Sequence, residues 1–212
     1  MKTKVFILAV IVSFIIISVK GQSKEDSNFL WTIKCKNKTH TIGLYGGLYG
    51  SYSEVMNKTA YYLGYRIGSV WNHRWGIGLA GYGLDFDRKL SKVVSDGTYH
   101  LEAGYAGVFI EYFQPLGKKC KLSFSLVTAT GLAIYKYDKE FVAGRPWYNV
   151  KIDQATFQVF EPGIELETKI CKRWWIGINA TYRNTSPVKL IGTDEKIFNN
   201  FTKGISLKYG IF

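Results

Sequence analysis

The ionisable residues of this chain recur at even spacings among small side chains. Glu161, Glu165, Glu167 and Lys169 occupy odd positions of one stretch, and Arg66, Glu102, Arg183 and Lys208 stand in comparable settings elsewhere. In an extended chain, alternate positions share a face. Each of these groups therefore belongs to a face otherwise built largely of Gly, Ala and Ser. Carboxylates and cations on such a face either neutralise one another as packed ion pairs or relay protons and ions. Nucleophilic catalysis needs instead a His, a hydroxyl and usually a carboxylate. The nearest approach is His100 with Ser95, Asp96 and Glu102. A cluster that local arises readily by chance, and no catalysis is expected from it. Cys35, Cys120 and Cys171 include no C-x-x-C, and His40, His73 and His100 are scattered, so neither a metal nor another cofactor is expected.

The elements that position these groups follow an export segment. In "MKTKVFILAVIVSFIIISVKGQS", Lys2 and Lys4 precede an apolar run from Val5 to Val19, and Val19 and Gly21 are small enough for cleavage before Gln22. Residues 1–21 read as a secretory signal peptide. The apolar run is short against the ~20 residues of a spanning helix. Removing Lys2, Lys4 and Lys20 lowers the formal charge from +12 to +9, so the mature chain stays basic. Nucleic acid is nonetheless no expected partner for an exported chain. Residues 22–38 form a polar, Lys-rich lead-in, in which "FLWTI" is a candidate short strand.

Beyond it the chain breaks into eight alternating runs, at 39–52, 59–71, 75–86, 98–113, 120–135, 154–170, 175–185 and 201–212. In the second, Tyr61, Leu63, Tyr65 and Ile67 oppose Tyr62, Gly64, Arg66 and Gly68. In the last, Ile205, Leu207, Tyr209 and Ile211 oppose Gly204, Ser206, Lys208 and Gly210. The fourth opens with Tyr99, Leu101, Ala103 and Tyr105 on its apolar side and continues with Val108, Ile110 and Tyr112. That change of phase predicts a bulge at Gly107. "NHR", "QPLGKK" and "CKRW" are tight connections, whereas those near 53–58, 87–97, 136–153 and 186–199 read as mostly longer and polar. An even number of antiparallel strands of ~9–11 residues or more, with short turns at one end and long loops at the other, marks a membrane barrel. The predicted fold is all-β, an eight-stranded antiparallel up-and-down transmembrane β-barrel over residues 39–212.

A soluble lipocalin-like barrel shares that strand pattern, and the composition of the polar face separates the two. Facing water it would carry Lys, Glu, Thr and Gln. Here it is mostly Gly, Ala and Ser, which fit the narrow lumen of eight strands. Trp71, Trp75, Trp174 and Trp175 flank the short turns, as an aromatic girdle at a membrane interface does. The ending "GISLKYGIF" resembles the closing strand of the small outer-membrane β-barrels of Gram-negative bacteria, the outer membrane protein beta-barrel domain family. Tyr209, Gly210 and Phe212 stand where that family's signal for the barrel-insertion machinery lies, although Phe212 is out of phase with Tyr209 and Ile211. "IGLYGGLYGSYS" resembles the family's Gly-rich first strand. The resemblance implies residence in the cell outer membrane among its lipids, insertion by the barrel machinery, and short turns on the periplasmic side. It implies the fold far better than an activity.

In that orientation the short turns carry Arg74, Lys118, Lys119, Lys172 and Arg173, with Lys34, Lys36, Lys38 and Lys121 nearby. No Asp or Glu lies within 30–41, 71–76, 114–122 or 170–176, so the rim is of one sign and attracts anionic groups such as inner-leaflet headgroups. The long loops mix signs, and Arg145 beside Trp147 and Tyr148 suits contact with an extracellular partner or glycan. All three cysteines fall at the periplasmic end. Cys120 and Cys171, at neighbouring strand ends, are candidates for a disulfide in an oxidising compartment, leaving Cys35 free or paired with another chain. Joining the sixth and seventh runs through "CKRW" makes partner numbers sum to about 345, which brings Glu161 to Arg183. The fifth and sixth runs bring Lys121 towards Glu167 and Lys169. Charges in a narrow lumen must pair to offset desolvation, so Arg66, Glu102, Glu161, Glu165, Glu167, Lys169, Arg183 and Lys208 are expected to form a packed polar plug. The expected protein is a monomeric, non-enzymatic outer-membrane barrel, structural or partner-binding through its loops. The alternatives are a passage for small or hydrophobic solutes and, less favoured, a lipid A-modifying enzyme or a secreted lipocalin-like binder.

Overall fold

The computed structural model describes residues 31–35, 38–55, 58–87, 98–139, 148–191 and 193–210. The expected signal segment 1–21, Ser95, Asp96, Arg145, Trp147, Ile211 and Phe212 lie outside the described residues. The strands are β1 (Trp31–Cys35), β2 (Lys38–Val55), β3 (Lys58–Trp71), β4 (Trp75–Asp87), β5 (Thr98–Pro115), β6 (Cys120–Lys139), β7 (Tyr148–Lys169), β8 (Trp174–Thr185) and β9 (Asn200–Gly210). Each pairs antiparallel with the next, and β2 pairs again with β9, so β2–β9 close into a barrel of eight strands. Closure runs from Tyr45 opposite Gly210 to Ser53 opposite Thr202. A closed ring leaves no row of unpaired backbone groups to face lipid. β1 crosses the "FLWTI" stretch and pairs with Lys38–Ile42, just before the part of β2 that β9 uses.

The two faces divide as alternation requires. Tyr61, Leu63, Tyr65 and Ile67 are exposed on the outer wall, while Tyr62, Gly64, Arg66 and Gly68 point inwards and are buried. Ile205, Leu207 and Tyr209 likewise lie outside, and Ser206, Lys208 and Gly210 inside. The lumen fills because large rings on one strand cover glycines on the next: Tyr82 lies over Gly64 and Phe157 over Gly131. The first short connection is the three residues Asn72–Arg74, with Asn72 and His73 at φ 51° and 57° and the Arg74 N–H donating to the Trp71 carbonyl at 3.1 Å. Positive φ at both central residues is the type I′ geometry that matches strand twist.

Three departures from the sequence expectation have physical causes. First, β5 pairs without a slip from Thr98 to Pro115, so no bulge exists at Gly107. Its apolar residues simply change sides: Leu101, Tyr105, Phe109 and Phe113 are buried in the lumen, and Val108 and Ile110 face out. Gly107 is needed for another reason, since a Cβ there would meet the Thr128 carbonyl oxygen of β6. Second, β6 and β7 extend into the stretch read as a loop at 136–153, and the register shift falls there, between Tyr135 and Lys136. Third, the connection 186–199 is not simply polar. Val188, Leu190, Ile197 and Phe198 are buried, and Phe198 stacks on Phe157 at 5.2 Å, which caps the barrel at its long-loop end.

The wall also has a break. β7 and β8 keep one register from Val159 opposite Thr185 to Lys169 opposite Trp175, but Glu161 and Pro162 have no partner in β8, nor Tyr182 and Arg183 in β7. Proline has no N–H to give a ladder.

Candidate functional site

Among the described residues, eight charged side chains are buried in the lumen, four cations (Arg66, Lys121, Arg183, Lys208) and four carboxylates (Glu111, Glu161, Glu165, Glu167). They sort into two clusters and a bridge. In the first cluster, towards the short-turn end, the Lys208 ammonium on β9 lies 2.9 Å from each of Glu111 Oε1, Glu165 Oε2 and Glu167 Oε1. An ammonium has three N–H donors; here it donates to Glu111 and Glu167, and Glu165 completes the set as an ion pair. Lys121 pairs with Glu167 Oε2 at 3.2 Å. Hydroxyls add to these carboxylates: Tyr45 donates to Glu111 Oε2 at 2.6 Å, Ser206 to Glu165 Oε1, and Ser123 to Glu167 Oε1 at 2.9 Å, the same oxygen that Lys208 holds. Oxygens of Glu111, Glu165 and Glu167 all lie within 4.8 Å of one another, a spacing suited to a cation, and the Lys208 ammonium occupies that place.

The second cluster sits further up. Arg183 Nε donates to Glu161 Oε2 at 2.9 Å and Nη2 to Thr202 at 3.3 Å, with the guanidinium 4.0 Å above the Tyr62 ring. Tyr105 and Thr181 donate to the same carboxylate at 2.7 and 2.8 Å. Between the clusters, Arg66 Nε donates to the Tyr82 hydroxyl at 2.7 Å, and its guanidinium lies 4.6 Å from the Tyr49 ring and 5.5 Å from that of Phe109. The first cluster carries one carboxylate more than its two ammoniums, and Arg66 supplies the balancing charge. Burying charges costs least when they neutralise one another, and among the described residues the cations and carboxylates are equal in number.

Of the residues expected in the lumen, Arg66, Glu161, Glu165, Glu167, Arg183 and Lys208 are there; two are not. Glu102 is exposed on the outer wall, because the unbroken β5 turns even-numbered residues outwards. Lys169 is exposed at the mouth, since β7 runs past the lumen there, and its ammonium lies 5.7 Å from the Trp175 ring. Glu111 was missed, hidden in the apolar run "VFIEYF"; Lys121, expected both near the rim and towards Glu167, turns inwards to Glu167. Trp71 and Trp75 are exposed outside, and Trp174 shares their face, its ring tilted against that of Tyr209. Trp175 does not belong to that girdle: neighbours in a strand face opposite ways, and its ring lies 4.2 Å from Lys121 Nζ. Cys120 and Cys171, the pair considered for a disulfide, stand at the same end with free thiols. Cys120 is opposite Thr168 and donates to its hydroxyl at 3.8 Å, while the chain turns away before Cys171.

Charges within and an apolar wall without invert the arrangement of a water-soluble barrel. The chain is a small transmembrane β-barrel. No family model and no curated protein matches it. Among solved structures it is similar to the outer membrane protein OprG of Pseudomonas aeruginosa (11% identity, 80% of this chain and 95% of that one, TM-score 0.45). It is also similar to the N-terminal β-barrel domain of OprF from Pseudomonas aeruginosa and to the attachment invasion locus protein Ail of Yersinia pestis. Each of these two gives 12% identity over 80% of this chain and 97% of the other, with a TM-score of 0.42. The likeness is one of strand arrangement and carries no shared role.

Proposed function

We propose that this barrel resides in the cell outer membrane as a non-enzymatic, closed-lumen protein that contacts partners through its loops and rims. The observation that carries the reading is the balanced charge ring, with Lys208 bound by three carboxylates across the lumen. A water-filled pore keeps its charges solvated and apart, whereas these are desolvated and locked to one another. The apolar cap of Val188, Leu190, Ile197 and Phe198 supports closure at the other end. Planar-bilayer recording on the refolded protein tests this. The expected trace shows no unitary conductance, and steady channel openings would overturn it. Recovery of heat-modifiable protein in the outer-membrane pellet tests the location.

A second reading has its own observation. The two-residue gap at Pro162 interrupts the β7–β8 ladder towards the long-loop end of β8, beside the Arg183–Glu161 pair. A small hydrophobic solute leaving the lumen through the wall would leave there. Uptake of an apolar dye into proteoliposomes, slowed by Pro162→Val, would favour this reading over the first.

A further inference from the structure

Two hairpin ends of the barrel are built alike. At one, the rings of Trp75 and Tyr112 meet across β4 and β5 with centroids 4.9 Å apart and planes at 58°, and Arg74 in the adjoining turn donates from Nη1 to the Tyr112 hydroxyl at 3.3 Å. At the other, Trp174 and Tyr209 meet across β8 and β9 at 5.0 Å and 58°, and Arg173 in the adjoining turn donates from Nη1 to the Tyr209 hydroxyl at 3.4 Å. In a ring of eight, β4 and β5 are each four strands from β8 and β9, so the assemblies stand half a turn apart. Both present their Trp and Tyr rings on the outer wall beside short turns.

The chemistry of each assembly fits one kind of partner. Indole and phenol rings settle where acyl chains give way to headgroups. A guanidinium tied to the phenol is held at that depth instead of swinging into bulk water. Its planar fork of donors matches the oxygens of a phosphate, and the Tyr112 bond engages one of the five N–H groups of Arg74. Lys118, Lys119 and Lys172 at the same end are exposed, and no Asp or Glu lies within 71–76, 114–122 or 170–176. A soluble anion would have no use for the ring pair, which lies against the acyl region. The geometry points to a binding site for an anionic phospholipid at each assembly, with guanidinium on phosphate and the Trp–Tyr pair on the glycerol–acyl boundary. The inference rests on the membrane-spanning reading above.

The test uses the full mature chain refolded into phosphatidylcholine vesicles containing a minor fraction of brominated lipid, and reads quenching of tryptophan fluorescence. Brominated phosphatidylglycerol is expected to quench more than brominated phosphatidylcholine at equal mole fraction. Each site should contribute roughly fivefold local enrichment of the anionic lipid. The Arg74→Gln/Arg173→Gln double variant should abolish the difference. Lys118→Gln/Lys119→Gln, which removes the same charge without touching either assembly, should leave most of it. Equal quenching by the two lipids, or equal loss in both double variants, would overturn the proposal while heat-modifiable migration still reports an inserted barrel. Failure of the wild-type chain to insert at all would overturn the barrel reading and this inference together.

Discussion

Glu161 and Arg183 meet at 2.9 Å inside the lumen at the level where their own strands stop pairing. The side chains hold β7 to β8 where the backbone, with Pro162 in the gap, does not. This pair is therefore a tie in the wall as well as part of the lumen filling.

Its removal has an expected signature. Arg183→Met leaves Glu161 buried with only the Tyr105 and Thr181 hydroxyls and should lower unfolding stability by about 3–5 kcal/mol. The double variant Glu161→Gln/Arg183→Met should lose less than the single losses combined, by about 0.5–3 kcal/mol. Urea titration followed by tryptophan fluorescence in vesicles measures both, and additive losses would mean that the pair is not coupled.

Lys208 is harder to replace than its charge suggests. Lys208→Met strands Glu111, Glu165 and Glu167 around one remaining ammonium, that of Lys121, and should cost about 3–5 kcal/mol or prevent refolding. Lys208→Arg keeps the charge but presents a flat fork in place of three diverging donors. Its urea midpoint should stay below that of the wild type, and full recovery would show that geometry around Nζ is unimportant.

Pro162→Val returns an N–H to the wall and a β-branched side chain to its outer face. The expected gain is about 0.5–1.5 kcal/mol, the value of one added backbone hydrogen bond, read as a higher urea midpoint and slower unfolding. A loss would show that proline is required by the local path of β7.

Phe198→Ala should loosen the cap without opening the barrel. Removing the ring that stacks on Phe157 should expose 186–199 to protease, while heat-modifiable migration persists. Cleavage unchanged from wild type would show that the stack does not hold the cap.

The sequence disclosed most where turn length and alternation act together. The tight β7–β8 turn sets the partner sum that brings Glu161 to Arg183, and matching strand ends bring Lys121 towards Glu167, so both pairs were legible in the sequence. The faces of β9 were legible as well, because Ile205, Leu207 and Tyr209 alternate with much smaller or charged residues. β5 was not, since apolar side chains line both the wall and the upper lumen. An apolar stripe then fails to say which way is out, and Glu102 and Glu111 exchange roles as a result. In the cap, Val188, Leu190, Ile197 and Phe198 follow no period, and only the fold brings them together. Trp175 was readable after all, for two adjacent residues of a strand never share a face.

The location of Lys208 bears on how the molecule is made. Its three carboxylate partners come from β5 and β7, and the cation arrives on β9, the strand that shuts the ring. A half-assembled sheet entering the bilayer would bring those anions along with too few positive groups, and hydrocarbon would repel it. Among the described lumen charges, balance is reached only when β9 joins β2, so the closing strand carries the charge that the rest of the ring lacks.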